Sequence, residues 1–155
     1  MAEQPQALTA ALEAWADVLH HSPMRAVFGY LREIGLSMTR MGTLLRLYYA
    51  GAARVSDIAD ELGITGAGAS QMLDRLVQQG LVERSEDPDD RRVKLIALTE
   101  QGRAVVERGG SLRHAWFTRL AASVQPEERE QVTACLRILM DRARQLDESS
   151  EGDSL

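Results

Sequence analysis

One stretch of the sequence, residues 56–99, decides the fold. It begins with SDIADELGIT at 56–65 and continues with GAGASQMLDRLVQQGLVER at 66–84. A turn-rich run, DPDDRR at 87–92, then precedes the short apolar run VKLIAL at 93–98. Apolar residues recur at helical spacing in the first half, whereas apolar runs flank a turn in the second half. The pattern predicts two short helices followed by a two-stranded ribbon.

Capping residues mark the ends of both helices. Ser56 is the expected N-cap of the first helix, and Asp57 places a carboxylate in its first turn. Gly63 ends that helix, because glycine adopts the left-handed conformation at little cost, and Thr65 caps the second helix. Two helices, a tight turn and a ribbon form a winged helix-turn-helix, which places its second helix in the DNA major groove.

Helical periodicity assigns two faces to that second helix. The residues expected to be buried are Ala69, Met72, Leu73, Leu76 and Val77. The residues expected to face outward are Ala67, Ser70, Gln71, Asp74, Arg75 and Gln78. Apart from Ala67, the outward set is polar, so it can contact DNA.

The N-terminal flank predicts three further helices. The first covers residues 7–19, with an apolar stripe formed by Leu8, Leu12, Trp15 and Leu19. His20–Pro23 interrupts it, and a second helix runs from Pro23 to about Glu33 with Ser22 as its N-cap. Gly35 closes that helix, and a third helix extends from Ser37 to Gly51. Val55 is expected to contribute a minor strand before the helix-turn-helix.

The C-terminal flank predicts two longer helices. Thr99 caps one that reaches about Ala122, and Pro126 is the first residue of the other. An apolar stripe on the last helix comprises Val132, Cys135, Leu136, Leu139, Ala143 and Leu146. The terminal helices pack either against each other within one chain or against a second copy. We expect the second copy, because winged helix-turn-helix proteins commonly bind twofold sites as dimers.

The sequence therefore predicts a mainly α fold: a winged helix-turn-helix with N- and C-terminal dimerisation helices. We expect a single domain over residues 1–148, followed by a polar tail at 149–155. Within the domain, the DNA-binding lobe covers about 37–99, and the dimerisation helices cover about 7–35 and 100–147.

Composition restricts the class of protein. With 155 residues and 45% hydrophobic content, the chain is long enough for one packed domain. No apolar run approaches the roughly 20 residues of a membrane helix, and the first residues carry no targeting signal. The single cysteine, Cys135, has no partner for a disulfide and fits a reducing cytoplasm as a small buried residue. We expect a cytoplasmic protein that does not contact membranes.

Charge argues against DNA binding. The formal net charge is −5, whereas many DNA-binding domains are basic. Residues 66–103 contain seven acidic residues and six basic ones: Arg75, Arg84, Arg91, Arg92, Lys94 and Arg103. A positive surface must therefore come from the arrangement of these charges. A winged helix that binds only another protein is the alternative.

Catalysis is not expected. The sequence has no nucleophile–base pairing and no glycine loop that would cradle a phosphate. His20, His21 and His114 do not have the spacing of a metal site, because adjacent histidines do not easily face one ion. We therefore predict no enzyme, no cofactor and no metal.

Several motifs resemble the signature of the MarR family, the multiple antibiotic resistance regulators. They are LVER at 81–84, DPDDRR at 87–92, LTEQG at 98–102, IADELGI at 58–64 and SQMLDRL at 70–76. The resemblance covers about residues 36–102. It implies an obligate homodimer with interlocked terminal helices, bound to a palindromic operator. It also implies repression that is relieved by a small molecule or an oxidant.

The resemblance places Arg92 at the tip of the wing, in the minor groove. A narrow A·T-rich groove has an enhanced negative potential that attracts a guanidinium. Asp90 is expected to brace the wing. The other expected DNA contacts are Arg75 and Arg91 to phosphates, Ser70 and Gln71 to base edges, and the helix N-terminus opened by Thr65 to a phosphate. The alternative for each is an ordinary solvated side chain.

The start of the second helix departs from the family pattern. Gly66-Ala67-Gly68 stands where members often carry Lys, Ser, Thr or Pro. Glycine inside a helix costs about 0.5–1 kcal/mol relative to alanine, and it offers no side chain to DNA. The helix is therefore expected to make fewer base contacts, although the groove it enters is unchanged.

A second candidate site is a pocket for an aromatic or phenolic effector, which the resemblance implies. The candidates are Trp15, His20, His21, Met24, Phe28, Tyr48 and Trp116, with Arg25 as the partner of an effector carboxylate. The alternative is that these aromatic residues belong to the core.

Overall fold

The computed structural model describes residues 3–86 and 94–152, with side chains for residues 5–86 and 94–146. The elements, in chain order, are α1 (Glu3–Glu33), α2 (Met38–Ala50), β1 (Ala53–Arg54), α3 (Val55–Leu62), α4 (Gly66–Gln78), β2 (Val82–Glu86), β3 (Lys94–Leu98), α5 (Glu100–Ser123) and α6 (Pro126–Gly152). The chain divides into two compact units, Met1–His114 and Ala115–Leu155. The predicted mainly helical fold with a winged helix-turn-helix is confirmed, and that motif lies in the first unit.

The small sheet is antiparallel with strand order β1-β3-β2. Ile96 on the central strand pairs with Ala53 on one side and with Arg84 on the other. Its side chain is fully buried, and Val82 of β2 is buried as well. Leu95, Ala97 and Leu98 are half-buried beside Ile96, so both faces of β3 are at least partly covered, which explains why its sequence lacks a polar–apolar alternation.

The core of the first unit lies between α1, α2, the sheet and the helix-turn-helix. Its fully buried large side chains include Leu44, Ile58, Leu73, Leu76 and Ile96. Burial of each such side chain contributes about 1.5–3 kcal/mol. Residues from every element of the DNA-binding lobe thus share one core, which fixes the positions of α3 and α4.

The predicted break in the N-terminal helix is wrong. α1 is continuous from Glu3 to Glu33, with Pro23 inside it. A proline inside a helix removes one hydrogen bond and crowds the preceding turn, at a cost of about 3 kcal/mol. However, Pro23, Val27 and Leu31 are buried along one face of α1. We attribute the continuity to this packing, which offsets the local cost of the proline.

The start of α3 also differs from the prediction. Val55 is the first residue of the helix rather than part of a strand, and the strand is Ala53–Arg54. Ser56 is therefore not the N-cap. It lies within α3, where its hydroxyl donates to Asp57 Oδ1 at 3.2 Å. Pairing of β1 with β3 keeps residues 53–54 extended, so the helix begins directly after them.

The remaining boundaries of α1, α2 and α3 are confirmed. Gly35 has a φ of +64°, and beyond it the Leu36 N–H donates to the Leu31 carbonyl at 2.8 Å, which closes α1. Ser37 Oγ accepts from the Arg40 N–H at 3.4 Å and caps α2. Gly63, with a φ of +62°, ends α3.

The second unit contains α6, which begins at Pro126 as predicted. The helix continues to Gly152, so the segment 149–152 is helical and does not form a tail outside the last helix. Cys135 was expected to be buried but is exposed in the single chain. Its neighbours on the apolar stripe, Val132 and Leu136, are exposed as well, so the stripe is not covered within one chain.

Candidate nucleic-acid interface

α4 packs against α3 through small and branched apolar residues. Ala59 of α3 and Ala69 of α4 are both buried, and their small side chains allow the two helices to approach closely. Leu73 and Leu76 are fully buried as predicted, and Met72 is half-buried. Val77 was expected to be buried but is 37% exposed. It follows Leu76 directly and therefore lies about 100° around the helix from it.

The first turn of α4 is organised by Thr65. Its Oγ1 accepts from the Gly68 N–H at 3.1 Å, which confirms the predicted cap. A Cβ at position 68 would lie 3.3 Å from that oxygen, so Gly68 suits the tight capped turn. Thr65, Gly66 and Ala67 are exposed. The N–H groups at this end have no helical partner, and such groups favour an anion.

The polar face of α4 is open to solvent at most of the predicted positions. Gln71 and Arg75 are exposed, and Ser70 is half-buried. Within the part of the chain that the structure describes, no carboxylate pairs with Arg75. Its guanidinium is therefore available to a phosphate, such as one at the edge of a DNA groove.

Asp74, on the same face, pairs with Arg84 of β2. Arg84 Nη2 lies 2.7 Å from Asp74 Oδ1. The pair joins the helix to the ribbon, and the sequence analysis did not anticipate it. The sequence placed Asp74 outward, but no local pattern connects it to a residue in the next element.

The ribbon formed by β2 and β3 is the wing. Val82 pairs with Leu98 at its base, and Glu86 pairs with Lys94 at the end of the described strands. Lys94 Nζ donates to Glu86 Oε1 at 2.8 Å across the ribbon. The predicted contacts Arg91 and Arg92 and the predicted brace Asp90 lie outside the described residues, so their roles stay predictions.

The Thr-x-x-Gly motif holds α5 against the turn between α4 and β2. Thr99 Oγ1 donates to the Gly80 carbonyl at 2.6 Å and accepts from the Gly102 N–H at 3.0 Å. The Thr99 N–H donates to the Leu81 carbonyl at 3.2 Å. Gly102 is buried, and a Cβ there would collide with that same carbonyl. The motif therefore fixes where the polypeptide leaves α4 and enters the wing.

Two arginines that the sequence analysis did not single out hold the helices of the lobe. Arg40 donates to Gly35 O at 3.1 Å, to Ser37 Oγ at 3.2 Å and to Gln79 Oε1 at 3.3 Å. It thus connects the start of α2 to the end of α4. Gln79 is 39 positions further along the chain, so sequence spacing gives no sign of this contact.

Arg46 of α2 makes a bidentate contact with Glu61 of α3. Arg46 Nε lies 2.9 Å from Glu61 Oε2, and Nη2 lies 3.0 Å from Oε1. The hydrogen bond from Arg46 lowers the pKa of the Glu61 carboxyl, and the same bond raises the pKa of Arg46. This contact fixes α3, the helix on which α4 packs.

A groove of about 670 Å³ lies on the first unit. It is lined by His21, Arg25, Phe28, Leu31, Arg32, Leu36 and Met38. Arg25, Phe28 and His21 come from the predicted effector set, whereas Trp15, His20, Met24 and Tyr48 do not line this groove. The Tyr48 ring instead lies beneath the Arg103 guanidinium, 5.1 Å from ring centroid to Cζ.

The described ranges contain neither a metal-binding cluster nor a membrane-spanning helix. No three or more His, Cys, Asp or Glu side chains of residues 5–86 and 94–146 are grouped so that they would hold a metal ion. Likewise, no described helix combines the length and the apolar character needed to cross a membrane.

Comparison with known proteins agrees with this geometry. The MarR family model matches residues 36–94, from the turn before α2 into β3. The HTH-type transcriptional regulator YfiV of Bacillus subtilis is 33% identical over 107 residues, which are 69% of this chain and 67% of YfiV. YdgJ, a second HTH-type regulator of that organism, is 33% identical over 95 residues, 61% of this chain. The aligned region spans 58% of YdgJ's own length.

A solved structure extends the comparison to DNA. The MepR–DNA complex of Staphylococcus aureus superimposes with a TM-score of 0.61 and 25% sequence identity, and the match covers 92% of this chain and 99% of MepR. MepR was thus crystallised with DNA, the ligand that the polar face of α4 and the ribbon of this chain would suit. The chain belongs to the MarR family of winged helix-turn-helix, DNA-binding transcriptional regulators, which are not enzymes.

Proposed function

We propose that the protein is a homodimeric repressor that binds a palindromic operator and is released from it by a small-molecule effector. The observation that carries this proposal is the open polar face of α4 beside the ribbon. Gln71 would bond an adenine edge, Ser70 would bond a base edge, and Arg75 would hold a phosphate. Thr65 at the helix start and Arg91 on the wing would add backbone contacts, and Arg92 would enter the minor groove.

The apolar surface of α6 supports a dimer. Val132, Leu136 and Leu146, which lie along one stripe of α6, are exposed in the single chain. A contiguous apolar surface of this kind favours association, and twofold symmetry is the commonest form of it. A twofold dimer presents two copies of α4 to half-sites about one helical turn apart, which requires a palindromic operator.

Repression of transcription would require the dimer to occupy the operator, and an effector would end it by releasing the dimer from the DNA. A dimer bound over a promoter would exclude the transcription machinery from the DNA. The groove has cationic side chains from Arg25 and Arg32 and an apolar wall that includes Phe28. This combination suits a small aromatic or phenolic molecule with an anionic group. Since the partner is chromosomal DNA, the site of action would be the cytoplasm.

Selection of bound fragments from random duplex DNA tests the DNA-binding part of the proposal. We expect an enriched palindrome, with an affinity whose logarithm falls linearly with the logarithm of salt concentration. An absence of duplex binding at low salt would instead favour a winged helix that contacts only protein.

Mass measurement of Leu136→Glu tests the dimer. The substitution places a charge in the apolar stripe of α6, so we expect the variant to dissociate into single chains while wild type remains dimeric. Glu130→Gln, at an exposed position of the same helix, is the control. An unchanged mass for the Leu136 variant would refute a dimer through this stripe.

Competition with benzoate and with phenol tests the effector groove. Benzoate should release operator DNA at lower concentration than phenol, because Arg25 would pair with its carboxylate. Arg25→Met should remove that preference while leaving DNA affinity unchanged. Equal responses of the variant and wild type to both compounds would refute this use of the groove.

A further inference from the structure

The ion pair between Asp74 and Arg84 joins the DNA-facing helix to the wing. Asp74 lies three residues after Gln71 and directly before Arg75, on the exposed face of α4. Arg84 lies in the middle of β2, opposite Ile96 of β3. Their side chains are 54% and 37% exposed, so both remain in contact with solvent.

The carboxylate of Asp74 lies on the face of α4 that would approach DNA. An unpaired acid one turn from Gln71 would face the phosphates of bound DNA and repel them. Arg84 removes that repulsion by holding the carboxylate at 2.7 Å. The contact also uses Arg84, so the guanidinium is directed toward α4 and is not free for a phosphate.

Among the described residues, the outer part of the ribbon has few other contacts that could fix its angle to α4. Beyond Val82, residues 83–86 of β2 are exposed, so the ribbon carries little core there. Isolated two-stranded ribbons are only marginally stable and twist strongly. The bonds from Thr99 to the carbonyls of Gly80 and Leu81 hold the base of the ribbon, whereas the Asp74–Arg84 pair acts three residues beyond Leu81.

We propose that Asp74 and Arg84 are positioning residues that set the distance between α4 and the wing. Through this distance they determine the spacing of major-groove and minor-groove contacts that the protein accepts. The inference rests on the proposed operator binding. Because exposed ion pairs contribute little to folding stability, variants of the pair should fold normally, so DNA affinity can be compared directly.

The test is a double-mutant cycle with Asp74→Asn, Arg84→Gln and the double variant, measured against the fragment that wild type selects. We expect each single substitution to weaken binding to that fragment roughly tenfold, comparable to the loss of one base contact. The double variant should be no weaker than either single variant, because the pair acts as a unit. The charge-reversed combination, Asp74→Arg with Arg84→Asp, should restore much of the affinity. Asp74→Asn, which leaves no unpaired acid, should change binding to unrelated duplexes little.

The salt dependence separates this role from a direct phosphate contact. If Arg84 is held by Asp74, the slope of log K against log salt stays at the wild-type value in Arg84→Gln. Loss of a phosphate contact would reduce the slope by about 0.9 per subunit. Lys94→Gln, which removes a cation that pairs with Glu86 on the same ribbon, is the matched control and should bind like wild type.

Several results would overturn the inference. They are additive effects of the two substitutions, tighter binding by Asp74→Asn, a reduced salt slope in Arg84→Gln, or an equal loss in Lys94→Gln. Failure of wild type to bind any duplex would overturn the proposed function first and this inference with it. A wild-type protein that binds while the cycle shows no coupling would overturn this inference alone.

Discussion

Gly102→Ala should destabilise the protein, although alanine is the better helix former. Gly102 lies in the first turn of α5, where a Cβ would collide with the Leu81 carbonyl and lie 2.9 Å from Leu98 Cδ2. The carbonyl belongs to the backbone and cannot rotate away as a side chain would. Helix α5 must therefore move off the turn between α4 and β2.

The magnitude follows from the contacts that would be disturbed. Inserting a methyl group into a packed site costs about 1–3 kcal/mol. Shifting α5 also strains the bonds from Thr99 to Gly80 O and Leu81 O, each contributing about 0.5–1.5 kcal/mol. The gain in helix propensity is about 1 kcal/mol. We expect a net loss of about 1–5 kcal/mol in the free energy of unfolding.

Denaturant unfolding at fixed protein concentration measures this loss, and Gly110→Ala is the matched control. Gly110 lies in the same helix, is exposed, and has open space where its Cβ would go. That variant should be as stable as wild type or more stable by up to about 1 kcal/mol. Equal stability of the two variants would refute the close approach at Gly102 as the reason for the Thr-x-x-Gly motif.

The remaining predictions concern Glu61, Thr65 and Gln71. The pKa of Glu61 is lowered in the folded state, so its contribution to stability is complete above its ordinary value of 4.5 and is lost as pH falls through the lowered value. Unfolding curves of Glu61→Gln and wild type should therefore differ at neutral pH and converge in acid; a constant difference would exclude the Arg46 contact as the cause. Thr65→Ala should lower stability by about 1 kcal/mol through loss of the α4 cap, with Thr65→Ser unaffected in thermal unfolding. Gln71→Ala should cost about 1–3 kcal/mol of binding free energy at one base step and relax specificity there, which a duplex titration with single-base variants would detect; uniform weakening across all duplexes would contradict a base contact.

The parts of the fold that the sequence predicted depend on local interactions. Gly35, Ser37 and Gly63 end or begin helices through bonds to residues within five positions, and those bonds are visible in the sequence pattern. The predicted helix break at Pro23 was wrong because it also rested on local interactions alone. Its local cost is apparent from the sequence, but the burial that offsets this cost depends on residues far away in the chain.

In the candidate site, too, some features follow from the local sequence and others depend on contacts between separate elements. The polar face of α4 follows from helical periodicity, so Gln71 and Arg75 were placed correctly at the surface. The position of α4 within the lobe depends on Arg40, Arg46 and Arg84, whose partners belong to other elements. A hydrogen bond or salt bridge between separate elements leaves no periodic signal, so the sequence pattern did not identify these three arginines.

The negative net charge does not conflict with DNA binding once the pairs are considered. On the proposed DNA-facing surface, Asp74 is held by Arg84 at 2.7 Å, so this acid presents little net charge to a phosphate. Salt screens charges beyond a Debye length of about 8 Å at physiological ionic strength, so carboxylates further from the duplex have little effect on it. Arg75, on the same face of α4, has no acidic partner among the described residues and would add a positive charge there. The potential at the duplex therefore depends on which acids are paired at this surface, and the total of −5 over the whole chain is a poor guide to it.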